Sequence, residues 1–420
     1  MSEGTPSGFT LPVQVVESAG VTAWLAEDHS VPVISIAFSI PGGAALDPAG
    51  QEGAVALASA LLTEGAGSLD ANAFQEAMRD NAISFNFSAD RDEFSGSFRC
   101  LSDALPEATR LARLALTAPR MEARDIERVR ARAIAGARQA LENPRGQAGR
   151  AFWSAALPGA YGHPPGGTAE TIATLTGDAL RGMPARQLRK GGLLVAASGA
   201  ITVGQLRDVM AALFGDWPSE EPSGLPRIPP FAATGVTVVP MESPQSAAVF
   251  GHQGLAVDDP DWEAAGVVLR ILSGGGFSSR LMQAVRVERG LAYGIGAGPE
   301  PVAGRSLIMG SVATENARMA ETLSVLRGEW AKMAASGPTA AEREEAIAYL
   351  TGSQPLSFTS TRQVANILLA LRRNNRPLDW LANRPARLEA LTRERLTEVA
   401  ARILLPDSLA VVVAGRPVGL

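Results

Sequence analysis

The chain has 420 residues, 46% of them hydrophobic and 19% charged, with a formal net charge of −5. That is a globular composition, and an acidic balance with no long basic run excludes an extended nucleic-acid footprint. A lone cysteine, Cys100, excludes an internal disulfide and a thiolate metal site, and no apolar run reaches membrane-spanning length.

In chain order, the start MSEGTPSGF reads as a polar tail. No basic segment followed by an apolar core is visible there, so no signal peptide is evident. The expected compartment is periplasmic where a leader has been removed and cytoplasmic otherwise. VTAWLAED (21–28) and VPVISIAFSI (31–40) predict strands. The Ala/Leu-rich run 52–63 predicts a buried helix. SLDANAFQEAMRDN (68–81) predicts a second helix, with Ser68 or Asp70 as its N-cap. ISFNFSADRDEFSGSFRCL (83–101) alternates, turns and alternates again, which predicts a hairpin with Cys100 as a buried structural thiol. Helices are predicted over roughly 103–117 and 121–142.

A linker and a repeat divide the chain. GDWPSEEPSGLPRIPP (215–230) is rich in proline and poor in regular structure. LTGDALRGMPARQLRKGGLLVAASG (175–199) aligns without a gap to LTRERLTEVAARILLPDSLAVVVAG (391–415), with nine of 25 positions identical. Each copy reads as a helix, a buried apolar strand and a turn glycine, which indicates a duplicated domain. The expected organisation is a first domain over 1–217, a linker over 218–230 and a second domain over 231–420. The fold class is α+β: two homologous domains, each a largely antiparallel sheet packed with helices.

Few residues offer chemistry directly. His29, His163 and His252 are far apart and fall in no short ligand pattern. No G-x-S-x-G elbow is present. Gly294, Gly296 and Gly298 give G-x-G-x-G with no helix opening behind it, and Lys190 precedes Gly191 rather than Ser or Thr, so neither dinucleotide nor P-loop binding is indicated. Taken alone, Tyr293 reads as an amphipathic-strand residue and Arg286 as an exposed helix charge.

SGGGFSSRLMQAVRVERGLAYGIGAG (273–298) and LPGAYGHPPGGTAETIATLT (157–176) resemble the insulinase/pitrilysin family of zinc peptidases. The duplication, the midpoint linker and the VVVAG ending fit as well, so the resemblance runs from about residue 15 onward. Active members carry H-x-x-E-H on a first-domain helix. The matching segment here is GAVALASALLTEG (53–65), which puts Ala56 and Ala60 at the two histidine positions and Ser59 at the glutamate. The third ligand, a glutamate ahead of a D-N-P-like turn, corresponds to Gly136 ahead of ENP (142–144). A catalytic zinc needs three protein ligands and a base that reaches its water. None of these four residues provides either, so no metal is expected in this chain.

The second-domain pair is the opposite case. The resemblance implies that Arg286 and Tyr293 hydrogen-bond the substrate backbone near the scissile bond, where a phenol donates to an oxyanion and a guanidinium to carbonyls. Arg289 takes a blander role as a helix-end charge. The expected function is a non-catalytic, substrate-binding subunit of a heterodimeric peptidase. A homologous H-x-x-E-H-bearing partner would hold the zinc, and the substrate would be a peptide or unfolded segment bound as an added β-strand. The alternative is an inactive scaffold or a peptide-binding homodimer. Neither nucleic acid nor a membrane span is expected.

Overall fold

The computed structural model describes residues 11–420; the polar start lies outside them. Six strands form the first sheet: β1 (Gln14–Ser18), β2 (Val21–Glu27), β3 (Val33–Pro41), β4 (Ser84–Ala89), β5 (Glu93–Leu101) and β6 (Leu194–Gly199). Five form the second: β7 (Val236–Pro240), β8 (Gln245–Gln253), β9 (Ile295–Val302), β10 (Arg305–Glu315) and β11 (Ala410–Gly415).

The orders are β1-β2-β6-β3-β5-β4 and β7-β11-β8-β10-β9. Apart from the extra β1, these are one plan. In each, the last strand of the repeat lies between a parallel neighbour (β2 or β7) and an antiparallel one (β3 or β8). A hairpin completes each far edge. The repeat therefore maps onto equivalent strands, β6 and β11, which end on Gly199 (φ +115°) and Gly415 (φ +133°). Its paired threonines are helix caps: Thr176 Oγ1 accepts from Ala179 N–H and Thr392 Oγ1 from Arg395 N–H. The helix after the first cap breaks into Gly177–Arg181 and Met183–Gln187 around Gly182, whereas Arg393–Ile403 is continuous. Pro184 accounts for the break, since it cannot donate to the preceding turn.

The remaining first-half elements are α1 (Ala54–Leu61), α2 (Ala71–Asp80), α3 (Leu105–Thr117), α4 (Ala123–Ala140) and α5 (Pro144–Ala156). Asp70 rather than Ser68 caps α2, accepting from Ala73 N–H at 2.9 Å. Cys100 lies buried on β5, and burial pushes its thiol up to about 12.

The chain forms two compact units, and each contains a segment from the opposite half. The first comprises the chain up to Ala137, Pro164–Arg227 and Gln354–Ala382; the second comprises Arg138–His163, Ile228–Ser353 and Asn383–Leu420. In the first unit, helix Thr361–Arg373 covers β3 and β6, seating Val364, Leu368 and Leu369 on the small residues Ala26, Ala37 and Ala196. In the second, α5 covers the equivalent strands β8 and β11, burying Phe152 and Trp153. These four strands are thus covered on both faces, which is why they read as apolar runs rather than alternation. The start of the 215–230 stretch belongs to the first core, with Trp217 buried edge-on to Phe38 and Phe214. No described helix is long and apolar enough to cross a membrane.

Candidate functional site

The four residues expected at zinc-motif positions lie on α1 and α4. Asp47 closes the start of α1, its carboxylate accepting from Gly53 and Val55 N–H. Along α1, Ala54, Val55, Leu57, Ala58, Ser59 and Leu61 are buried; Ala56 is half-buried and Ala60 exposed. The two alanines at histidine spacing therefore share the outer face, while Ser59 turns inward and gives its hydroxyl to Val55 O at 2.6 Å. Gly136 is exposed on α4 with nothing near the space of a side chain. No group of three His, Cys, Asp or Glu that could hold a metal occurs among the described residues. Two methyl groups, an internally bonded hydroxyl and a bare backbone do not fit zinc.

Unit 2 presents polar groups instead. The segment before β9 runs through Arg280–Met282 into a π-helical turn, Gln283–Val287, a widened geometry frequent at functional sites. Arg280 anchors its start with a forked pair to Glu342, at 2.6 and 2.7 Å. Burial raises Glu342, but this fork and the Thr339 N–H outweigh it and hold the carboxyl down at about 2. Gly290 ends the turn in the left-handed region (φ +58°), its N–H on Arg286 O. Arg318 then binds Gly290 O, and Thr314 Oγ1 donates to Leu291 O. The start of the loop bearing Tyr293 is therefore pinned at two successive carbonyls.

Arg286 and Tyr293 come together. Arg286 Nη1 donates to Tyr293 O at 2.8 Å. The guanidinium carbon lies 4.0 Å from the Tyr293 ring centre and 4.4 Å from that of Phe277. The rings lie against the guanidinium and leave its remaining in-plane N–H groups free to donate. Tyr293 is 84% exposed, and its hydroxyl has no partner among the described residues. Arg289 instead binds Ala284 O and Glu288, the structural role expected of it.

The pair borders an open groove of about 830 Å³, whose wall also includes Arg145, Gln245, Ser311 and Arg318. β9 forms one margin and is the free edge of its sheet. Ser306 O accepts from Gly254 N–H, so Ser306 faces β8 and its cross-strand partner Pro301 faces outward. By the two-residue alternation Pro299, Ala297 and Ile295 face outward too. The prolines remove two edge donors, the usual protection of an edge strand. On the same outward side Ala297 O already accepts from the buried Ser273 hydroxyl at 2.6 Å, so the edge is covered there.

Sequence reasoning missed Phe277, Arg318 and Arg145. Phe277 stands inside the 273–298 motif and Arg145 directly follows the ENP turn, so an aromatic or arginine in or beside such a motif is a usable signal.

A family model described as "Peptidase M16 inactive domain" matches residues 174–350. The crystal structure of a peptidase M16 inactive domain from Pseudomonas fluorescens is similar over 97% of this chain and 98% of that one, with TM-score 0.90 and 26% identity. The chain resembles peptidase M16 inactive domains, by family model over 174–350 and by structure over nearly its whole length. Among its relatives, a non-peptidase homolog of Helicobacter pylori is 24% identical over 82% of this chain and 80% of its own length. An uncharacterized zinc protease of Streptomyces coelicolor is 31% identical over 49% of this chain, a match spanning 46% of that relative. These likenesses support a non-catalytic member of the M16 family, and the two mixed sheets packed with helices have the inactive-domain architecture.

Proposed function

We propose that this chain is the substrate-clamping subunit of a heterodimeric M16 peptidase. Arg286 and Tyr293 act on a peptide held against the zinc site of an H-x-x-E-H-bearing partner. The observation that carries the reading is the Arg286–Tyr293 arrangement: a guanidinium against two rings, one N–H on Tyr293 O and the others unpaired, beside an exposed, unpartnered phenol. Arg286 orients substrate carbonyls, and the Tyr293 hydroxyl donates to the oxyanion as it forms. A solvent-facing tyrosine and a half-exposed phenylalanine gain nothing from folding, so their position is better accounted for by a ligand.

The test is reconstitution with a homologous H-x-x-E-H-bearing chain from the same organism, using a quenched peptide and zinc. Peptidase activity is expected only from the pair, with kcat falling about 100-fold in Tyr293→Phe. A partner fully active alone and indifferent to Tyr293→Phe would sink this reading. The second reading, an inactive scaffold or peptide-binding homodimer, draws support from the Helicobacter relative's description as a non-peptidase homolog and would then stand in its place.

A further inference from the structure

We infer that the groove beside Tyr293 selects acidic peptides and that Arg145 is the residue that reads the acidic side chain. The inference rests on the substrate-clamping reading and adds a substrate class to it. Its basis is the charge inventory of the groove. Three arginines line it, Arg145, Arg286 and Arg318, against one carboxylate, Glu315. That carboxylate is already engaged, 3.3 Å from Arg318. Arg286 is satisfied by a carbonyl and two aromatic rings, none of which neutralises it. Arg145, exposed near the start of α5, makes no hydrogen bond or ion pair among the described residues. A groove with two uncompensated guanidiniums therefore sits on a chain whose overall charge is −5.

The two have different work available. The Arg286 edges serve the peptide backbone next to Tyr293. Arg145 comes from a different element, is free of any backbone contact, and can meet a side chain. A planar guanidinium with open donors matches a carboxylate with two parallel hydrogen bonds, which a glutamine in the same place cannot reproduce. Gln245 and Ser311, on the same wall, are neutral and oppose no anion.

The experiment measures binding of two peptides to the full chain, each carrying an uncharged fluorophore. They are identical except that two central glutamates in one are glutamines in the other. A control comes from unit 1, where Arg362 borders a separate hollow of about 280 Å³ and likewise lacks an ion-pair partner. The wild type is expected to prefer the glutamate peptide about tenfold at low salt. Arg145→Gln should bring that preference below about threefold and leave affinity for the glutamine peptide unchanged. Arg362→Gln should keep the full preference. Equal binding of the two peptides by the wild type, or an undiminished preference in Arg145→Gln, overturns the proposal and leaves the clamping reading standing. Loss of the preference in Arg362→Gln overturns it too, since the acid would then be read elsewhere. Failure of both peptides to bind removes the clamping reading together with it.

Discussion

The two units answer one question differently: what a repeated sheet does with the segment that could carry chemistry. Both sheets follow the same order and close their central strand on a glycine with positive φ. In the first, α1 turns its substituents into the core, its serine bonded to its own helix and two methyl groups left outside. In the second, the stretch from Arg280 to Tyr293 turns polar and aromatic groups outward and is held there by bonds from Glu342, Thr314 and Arg318. The difference teaches that a shared scaffold leaves function to the face a segment presents. An inward face takes only side chains that pack. An outward polar one takes support from outside the segment.

The shared plan is tested most severely at its glycines. A Cβ on Gly199 would lie 1.9 Å from Val33 O, whereas one on Gly415 would first meet the Ser246 hydroxyl at 2.4 Å. Gly199→Ala should cost about 3–5 kcal/mol in denaturant unfolding, and Gly415→Ala a lesser but clear loss of about 2 kcal/mol. A neutral Gly415→Ala would break the equivalence of the two strands. Next in size is Glu342→Gln, which loosens the anchor of the site segment and should cost about 2 kcal/mol at pH 7. The native carboxyl is depressed from 4.5 to about 2. Its contribution is therefore present above pH 4.5 and lost as pH falls toward 2. The stability gap between wild type and Glu342→Gln should close over that interval; a gap constant with pH would show that charge is not what holds Arg280.

Smaller effects sharpen the contrast. Phe277→Ala removes one of the two rings on Arg286 and should weaken peptide affinity about fivefold with little change in melting temperature. An unchanged affinity would mean that the stacking does not position the guanidinium. Ser59→Ala deletes a hydroxyl bonded only within α1 and should change stability by under about 0.5 kcal/mol. A larger loss would mean that the serine does something beyond packing.

Much of the fold was legible because burial leaves a mark on composition. β3 and β6 are covered on both faces and read as continuous apolar runs; the β4–β5 hairpin has a half-exposed strand and reads as alternation. The repeat exposed the equivalence of β6 and β11, and its paired threonines turned out to be caps. What stayed hidden depends on partners distant in sequence. The apolar stripe of Thr361–Arg373 announces a helix, but nothing local says that it covers β3 and β6, where Ala26, Ala37 and Ala196 make room for it. At the site, Arg286 and Tyr293 were visible because a single motif holds both. Arg145 was not, because it reaches the groove from the other side of the 215–230 stretch.

That crossing of segments bears on how the chain is made. Helix Thr361–Arg373 is needed to cover the first sheet, whose strands all lie within the first 199 residues, and α5 waits from residue 144 for a sheet whose last strand ends at Gly415. On a ribosome neither unit can be finished until nearly the whole chain has emerged, so bare alanine-lined strands must be kept from pairing wrongly in the meantime. The same arrangement means that a protease cut in the 215–230 stretch would leave two fragments that each hold part of the other's core. They should stay together as a nicked particle, and neither should be soluble when expressed without its counterpart.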